Sequence, residues 1–125
     1  MRILLDTHIF YWLFYDQRKL PSAARTILDD ADAVFVSAVS LWEIAIKVRV
    51  GKLKADIPEL LGSLEAAKLL ELTVLARHTP IVSVLPLHHA DPFDRLLIAQ
   101  AMSEPLHLIT TDPLLKQYSE LVIEV

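Results

Sequence analysis

Short apolar runs along the chain alternate with stretches whose apolar residues recur every three or four positions, as strands alternating with helices do. Arg2 to Leu5 is such a run, and from Thr7 to Tyr15 the residues Ile9, Leu13 and Phe10, Phe14 keep helical spacing. Pro21, at a first turn, opens a helix through Leu28, and Ala33 to Val36 reads as a short buried strand. Ser40 is placed to cap a third helix, which Gly51 ends. A helix from about Ile57 to Leu69 starts at Pro58, followed by a strand at Leu72 to Leu75 and a helix from Ala76 to Val84 that contains Pro80. Asp91 and Pro92 combine a cap with a first-turn proline and open a helix to Ser103 that is apolar almost all round, hence buried. Leu106 to Thr110 is the next strand, Asp112 and Pro113 repeat the cap signature, and Leu121 to Val125 is the last strand. With few hairpin dipeptides, this order predicts an α/β fold of three layers, α/β/α, around a mostly parallel central sheet.

The 125 residues suit a single domain, and no linker, charge run or internal repeat divides them. A hydrophobic fraction of 54% excludes disorder and leaves apolar surface for partners. The net charge of −4 excludes a generally basic nucleic-acid binder, though not a local basic patch. There is no cysteine, which excludes thiol chemistry and fits a reducing, cytoplasmic setting. Asp6, Glu43, Pro80 and Pro86 break the apolar stretches, so no membrane span is expected. Asp6 and His8 likewise interrupt the N-terminal run, which is read as part of the fold and not as a signal peptide. Two glycines, Gly51 and Gly62, cannot build a glycine-rich phosphate loop.

In a parallel sheet, the loops leaving the carboxyl ends of the strands share one edge, and ligands bind there. Asp6 and Asp112 fall at that edge, Asp91 and Asp94 open a helix, and Glu43 lies one turn inside another helix that follows a strand. Asp6, Glu43, Asp94 and Asp112 are thus expected to converge, and oxygen-only clusters suit Mg²⁺ or Mn²⁺. Each acid also has a structural use. Asp6, Asp91 and Asp112 can be helix caps, Asp94 can favour a helix dipole, and Glu43 can pair with Lys47 on a solvated face. Capping does not explain the gathering, because like charges about 4 Å apart repel by about 4 kcal/mol at an effective dielectric of 20.

The stretches ILLDTH, VSAVSLWEIAIK with KLK soon after, ADPFDRLLIAQA and ITTD resemble, in order, the motifs of PIN domains of the VapC toxin ribonuclease type. The resemblance covers nearly the whole chain. It implies a PIN-like fold over residues 1–125 and matches Asp6, Glu43, Asp94 and Asp112 to the family's metal-binding acids around one or two Mg²⁺ or Mn²⁺ ions. Asp91 ranks as a cap first and an outer-shell ligand second, and Thr111 beside Asp112 is a further candidate. The implied chemistry is hydrolysis of RNA phosphodiesters without a covalent intermediate. Asp6, Asp94 and Asp112 hold the metal, and Glu43 completes the shell or orients water. The implied partners are RNA, a VapB-like antitoxin and a second copy of the chain.

Lys47, Arg49, Lys52 and Lys54 form the one dense basic cluster, read either as cations answering a helix dipole or as a path for a phosphate backbone. Arg95 is placed to orient a carboxylate, touch phosphate or face solvent. His8 is a candidate for phosphate or partner contact, whereas His88 and His89 are read as solvated loop residues, with metal ligation as the lesser alternative. The run Ile9 to Tyr15 is too apolar for a helix burying one stripe, so part of it is expected in an interface. Other acidic Mg²⁺ folds fit poorly. A receiver domain needs paired acids after its first strand, where Asp6 stands alone, and a haloacid-dehalogenase phosphatase needs D-x-D where the chain has D-T-H. A catalytically silent PIN-like binding module stays open.

Overall fold

The computed structural model describes residues 1–125. Five strands, β1 (Arg2–Leu5), β2 (Ala33–Ser37), β3 (Leu69–Leu72), β4 (His107–Thr110) and β5 (Val122–Glu124), form one sheet in the order β3-β2-β1-β4-β5. Every neighbouring pair is parallel. The helices are α1 (Thr7–Tyr15), α2 (Ser22–Asp30), α3 (Ala38–Arg49), α4 (Ile57–Gly62), α5 (Thr79–Val84) and α6 (Pro92–Ser103).

Side chains alternate across a strand, and here the alternation feeds two cores. Ile3 and Leu5 of β1 and Ile109 of β4 pack with Ile9 and Phe10 of α1, Ala24 of α2, Ile44 of α3 and Leu60 of α4. Leu4 of β1 and Leu108 of β4 pack on the opposite side with Leu97, Ile98 and Ala101 of α6. Helices therefore cover both faces of the sheet, as the three-layer reading expects, and strands buried on both sides explain why the runs are apolar without alternation. Leu97 and Leu108 are fully buried. Leu108→Ala is expected to cost about 2–5 kcal/mol, measurable as a lowered urea midpoint, and a loss under about 1 kcal/mol would contradict this packing.

Several boundaries differ from the sequence reading for local reasons. The cap of α3 is Ser37, not Ser40: Ser37 Oγ accepts from the Val39 N–H at 3.1 Å, and β2 passes into the helix without a loop. Ser40 lies inside α3, where its hydroxyl pairs with Thr7 at 2.9 Å. Gly51 does end the helix, at φ +80. The helix from Ile57 stops at Gly62, because the chain turns back through Lys68, itself at φ 59, to bring β3 beside β2. Val34 to Ser37 of β2 pair with Leu69 to Leu72, so β3 is Leu69–Leu72 and not Leu72–Leu75. Pro80 sits in the first turn of α5, which leaves Ala76–His78 as a separate 3₁₀ turn. After Asp112 and Pro113 the chain makes only a 3₁₀ turn, Leu115–Gln117.

Candidate active site

In the order β3-β2-β1-β4-β5, connections from β1 lead one way to β2 and those toward β4 and β5 lie the other way, so the switch point falls between β1 and β4. A crevice opens at the carboxyl ends of strands at such a point. Asp6 follows β1, and Asp112 follows β4 by two residues. The Asp6 N–H donates to Ile109 O at 3.1 Å, and the Thr110 hydroxyl donates to Asp6 Oδ2 at 2.5 Å while accepting from the Asp112 N–H at 3.0 Å. One hydroxyl thus ties both acids. Thr110, not Thr111, plays this part; Thr111 is half-buried and its side chain makes no hydrogen bond.

Glu43 comes from α3 and Asp94 from the first turn of α6. These helices are held in register by buried Gln100, which accepts from Ser37 Oγ at 2.6 Å and donates to Thr73 O at 3.3 Å. Asp91 caps α6, its Oδ1 accepting from Phe93 and Asp94 N–H at 2.8 and 3.1 Å. Asp112 Oδ1 accepts from the Leu114 N–H at 2.9 Å. Asp6, although at the cap position of α1, makes no capping bond to it. Capping therefore accounts for Asp91 and in part for Asp112, and leaves Asp6, Glu43 and Asp94 to be explained otherwise.

Charge crowding is the main feature of the site. The Asp94 carboxyl is pushed up to about 8, first by burial and then by repulsion from Asp6, Asp91, Glu43 and Asp112. Burial also raises Asp6, against the opposing Thr110 hydrogen bond and the nearby His8. Glu43 is buried; Lys47 Nζ holds its Oε2 at 2.7 Å, and its Oε1 has no hydrogen-bond partner. The Glu43–Lys47 pair is not the solvated pair expected from spacing, since the two side chains are only 5% and 30% exposed. A buried carboxylate oxygen without a partner costs about 1–3 kcal/mol or more. Oxygen donors, one of them orphaned, in a pocket of excess negative charge fit a hard divalent cation.

His89 was expected in solvent and stands in the site instead. Its Nε2 lies 3.0 Å from Asp112 Oδ2 and 3.4 Å from Asp94 Oδ2, and its Nδ1 accepts from the Asp91 N–H at 3.0 Å. The only sequence signal for this was the His-x-Asp spacing, which lets a ring nitrogen meet the amide two residues on. His88 packs edge-on against Tyr118. Arg95 is half-buried and pairs with no carboxylate: its guanidinium donates to Pro86 O at 2.8 Å and to Val82 and Leu85 O at 3.3 Å.

The basic cluster divides. Lys47 belongs to Glu43, whereas Arg49, Lys52 and Lys54 form no ion pair, and Lys52 and Lys54 line a hollow of about 350 Å³ with Tyr11, Tyr15 and Lys19. The run Ile9 to Tyr15 is largely absorbed by the chain's own core: Ile9 and Phe10 are buried, and Tyr11, Trp12, Leu13 and Phe14 pack on them. Exposed apolar side chains also follow one another at four-residue spacing in Trp42 and Ile46 of α3 and Val50 at its end, Trp42 and Val50 each 61% exposed. No helix is long and apolar enough to cross a membrane.

The PIN domain family model matches residues 3–121. Over 127 aligned positions the chain is 29% identical to Ribonuclease VapC22 of Mycobacterium tuberculosis (strain ATCC 25618 / H37Rv), covering 93% of this chain and 91% of that protein. Among solved structures, a chain of VapBC2 from Rickettsia felis bound to a promoter DNA fragment superposes with a TM-score of 0.68 at 18% identity, covering 100% of this chain and 98% of the other. FitAcB from Neisseria gonorrhoeae gives 0.59 at 21% identity, with 88% and 87% covered. At such identities the structural likeness speaks for the fold. The matched span contains strands β1 to β4 apart from Arg2, together with all the acids of the crevice, and stops just before β5; the chain belongs to the PIN domain family.

Proposed function

We propose that residues 1–125 form one PIN domain acting as a metal-dependent endoribonuclease, the toxin of a VapBC-type toxin–antitoxin pair in the cytoplasm. The observation that carries the reading is the crowded acidic crevice at the β1/β4 switch point, with Asp94 raised to about 8 and a Glu43 oxygen left unpaired. Asp6, Asp94 and Asp112 would hold Mg²⁺ or Mn²⁺, with Glu43 completing the shell. Bound there, the ion supplies an activated water and neutralises charge at phosphorus. The chain's own part is to keep the carboxylates fixed: Thr110 anchors Asp6, Lys47 anchors Glu43, and the Asp91 cap sets the first turn of α6. The likeness to Ribonuclease VapC22 supports RNA as the substrate class, and the likeness to the VapBC2 and FitAcB structures supports an antitoxin partner.

Purified protein freed of any partner should cleave RNA in Mg²⁺ or Mn²⁺ and stop when EDTA is added. Cleavage that persists in EDTA would remove the metal from the mechanism, and RNA binding without cleavage would leave a silent binding module. The Trp42, Ile46 and Val50 stripe is assigned to a second copy of the chain. Light scattering at micromolar concentration should give twice the chain mass, and Trp42→Glu should return it to one; a wild-type monomer would refute the dimer.

A further inference from the structure

His89, Asp94 and Asp112 place one nitrogen and two carboxylate oxygens within 4.8 Å of one another, which has the composition of a three-ligand metal site. The hydrogen bonds around the ring exclude that role for the nitrogen. A backbone N–H can only donate, so the Asp91 N–H at 3.0 Å occupies the lone pair of His89 Nδ1. The neutral ring then carries its proton on Nε2, the atom that faces Asp112 Oδ2 at 3.0 Å and Asp94 Oδ2 at 3.4 Å. An N–H aimed at two carboxylates is well placed to donate and has no lone pair to give an ion. Moving the proton to Nδ1 would free that lone pair only by breaking the Asp91 bond and turning a bare nitrogen toward two anionic oxygens.

The loop that presents this ring is built for the purpose from outside the acid cluster. Residues 85–90 lie between α5 and α6 without strand or helix pairing, and Arg95 staples them through Pro86 O, Leu85 O and the Tyr118 hydroxyl, the last at 3.2 Å. The same hydroxyl accepts from the His89 N–H at 2.8 Å. Arg95 and Tyr118 thus hold the backbone of His89, while Asp91 holds its ring. We infer that His89 is a positioning residue of the site, an N–H donor that orients Asp112 and Asp94 from outside the metal shell, with Arg95 and Tyr118 as its supports. The inference rests on the metal-nuclease reading. Asp91 acquires two jobs in it, its carboxylate capping α6 and its amide fixing the tautomer of His89.

Hydrogen-bond partners of ligating carboxylates commonly govern metal affinity by 10–100-fold. Mn²⁺ titrations followed by electron paramagnetic resonance, on wild type, His89→Ala and His89→Gln, test the role. The Ala variant should bind Mn²⁺ about 10-fold or more weakly, and the Gln variant, whose amide N–H can reach the same oxygens, should recover most of the loss. Electron spin-echo modulation of Mn²⁺ bound to the wild-type protein, which needs no variant to fold, should show no directly bonded ¹⁴N. A directly bonded ¹⁴N that disappears in His89→Ala would make His89 a ligand and overturn the inference. Equal affinity in all three proteins would also overturn it. A wild-type protein that binds no Mn²⁺ would overturn the metal reading beneath it, a result distinct from the other two.

Discussion

Asp94→Asn should lower metal-dependent RNA cleavage by at least about 10²-fold, because metal charge stabilisation is worth several kcal/mol and each 1.36 kcal/mol is tenfold in rate. Asp91→Asn should change it by about threefold or less, since Asn caps a helix nearly as well as Asp and its amide N–H still reaches His89. The two residues open the same helix and are three apart, so the pair separates charge at the site from capping of α6. Initial rates of both variants in saturating Mg²⁺ decide it. Equal losses would mean that the geometry of the helix start governs activity, and Asp94 would lose its place as a ligand.

Stability should follow the same charge in the opposite direction. Asp94 ionises near pH 4 in the unfolded chain and near 8 in the folded, metal-free one. Between those values the folded protein keeps a proton that the unfolded chain has released, so raising pH favours unfolding. Melting temperature in EDTA should therefore fall as pH rises from about 4 to 8. Asp6 is raised as well and acts in the same sense, while the neighbours facing Asp94 are Asp6, Asp91, Glu43, Asp112 and His89. Asp94→Asn removes the Asp94 contribution, and at pH 8 in EDTA it should melt above wild type. Mg²⁺ at about 100 times its Kd contributes about 2.7 kcal/mol to the folded wild type, which for a chain of this size raises the melting temperature by about 10 °C. The variant should gain less. Identical Mg²⁺ shifts in the two proteins would dissolve the cluster into four independent side chains.

The parts of this molecule that could be read from sequence are those decided by residue type and period. A parallel strand covered on both faces must be apolar at its centre, as Ile3 to Leu5 and Leu108 to Ile109 are; a carboxylate at the end of such a strand or the start of the following helix must face the same edge. The features that escaped depend on residues distant in the chain. Leu69 and not Leu72 begins β3 because β2 sets its register. Thr110 rather than Thr111 meets Asp6 because β4, paired beside β1, ends at Thr110 and the chain bends at Thr111. The orientation of His89 is decided by Tyr118, far along the chain, and by an arginine whose five donors could have gone to solvent or to phosphate as easily as to loop carbonyls. In α1 the aromatic run packs in part on the chain's own core, with Tyr11 to Phe14 half-buried and Tyr15 exposed.

The bond from Thr110 to Asp6 joins residues 104 positions apart, and β4 fills the place beside the first strand of the chain. Contacts of such separation form late, because the loop must close before any of them is rewarded. On the ribosome, domains assemble as units, at roughly 5–20 residues per second. A nascent chain that has already exposed Asp6, Glu43 and Asp94 still lacks the strand that anchors the first and leads into the fourth. If the crevice is the nuclease site proposed above, it stays incomplete until β4 docks, and the interval between starting and finishing the chain is one in which the message that encodes it is safe from its product.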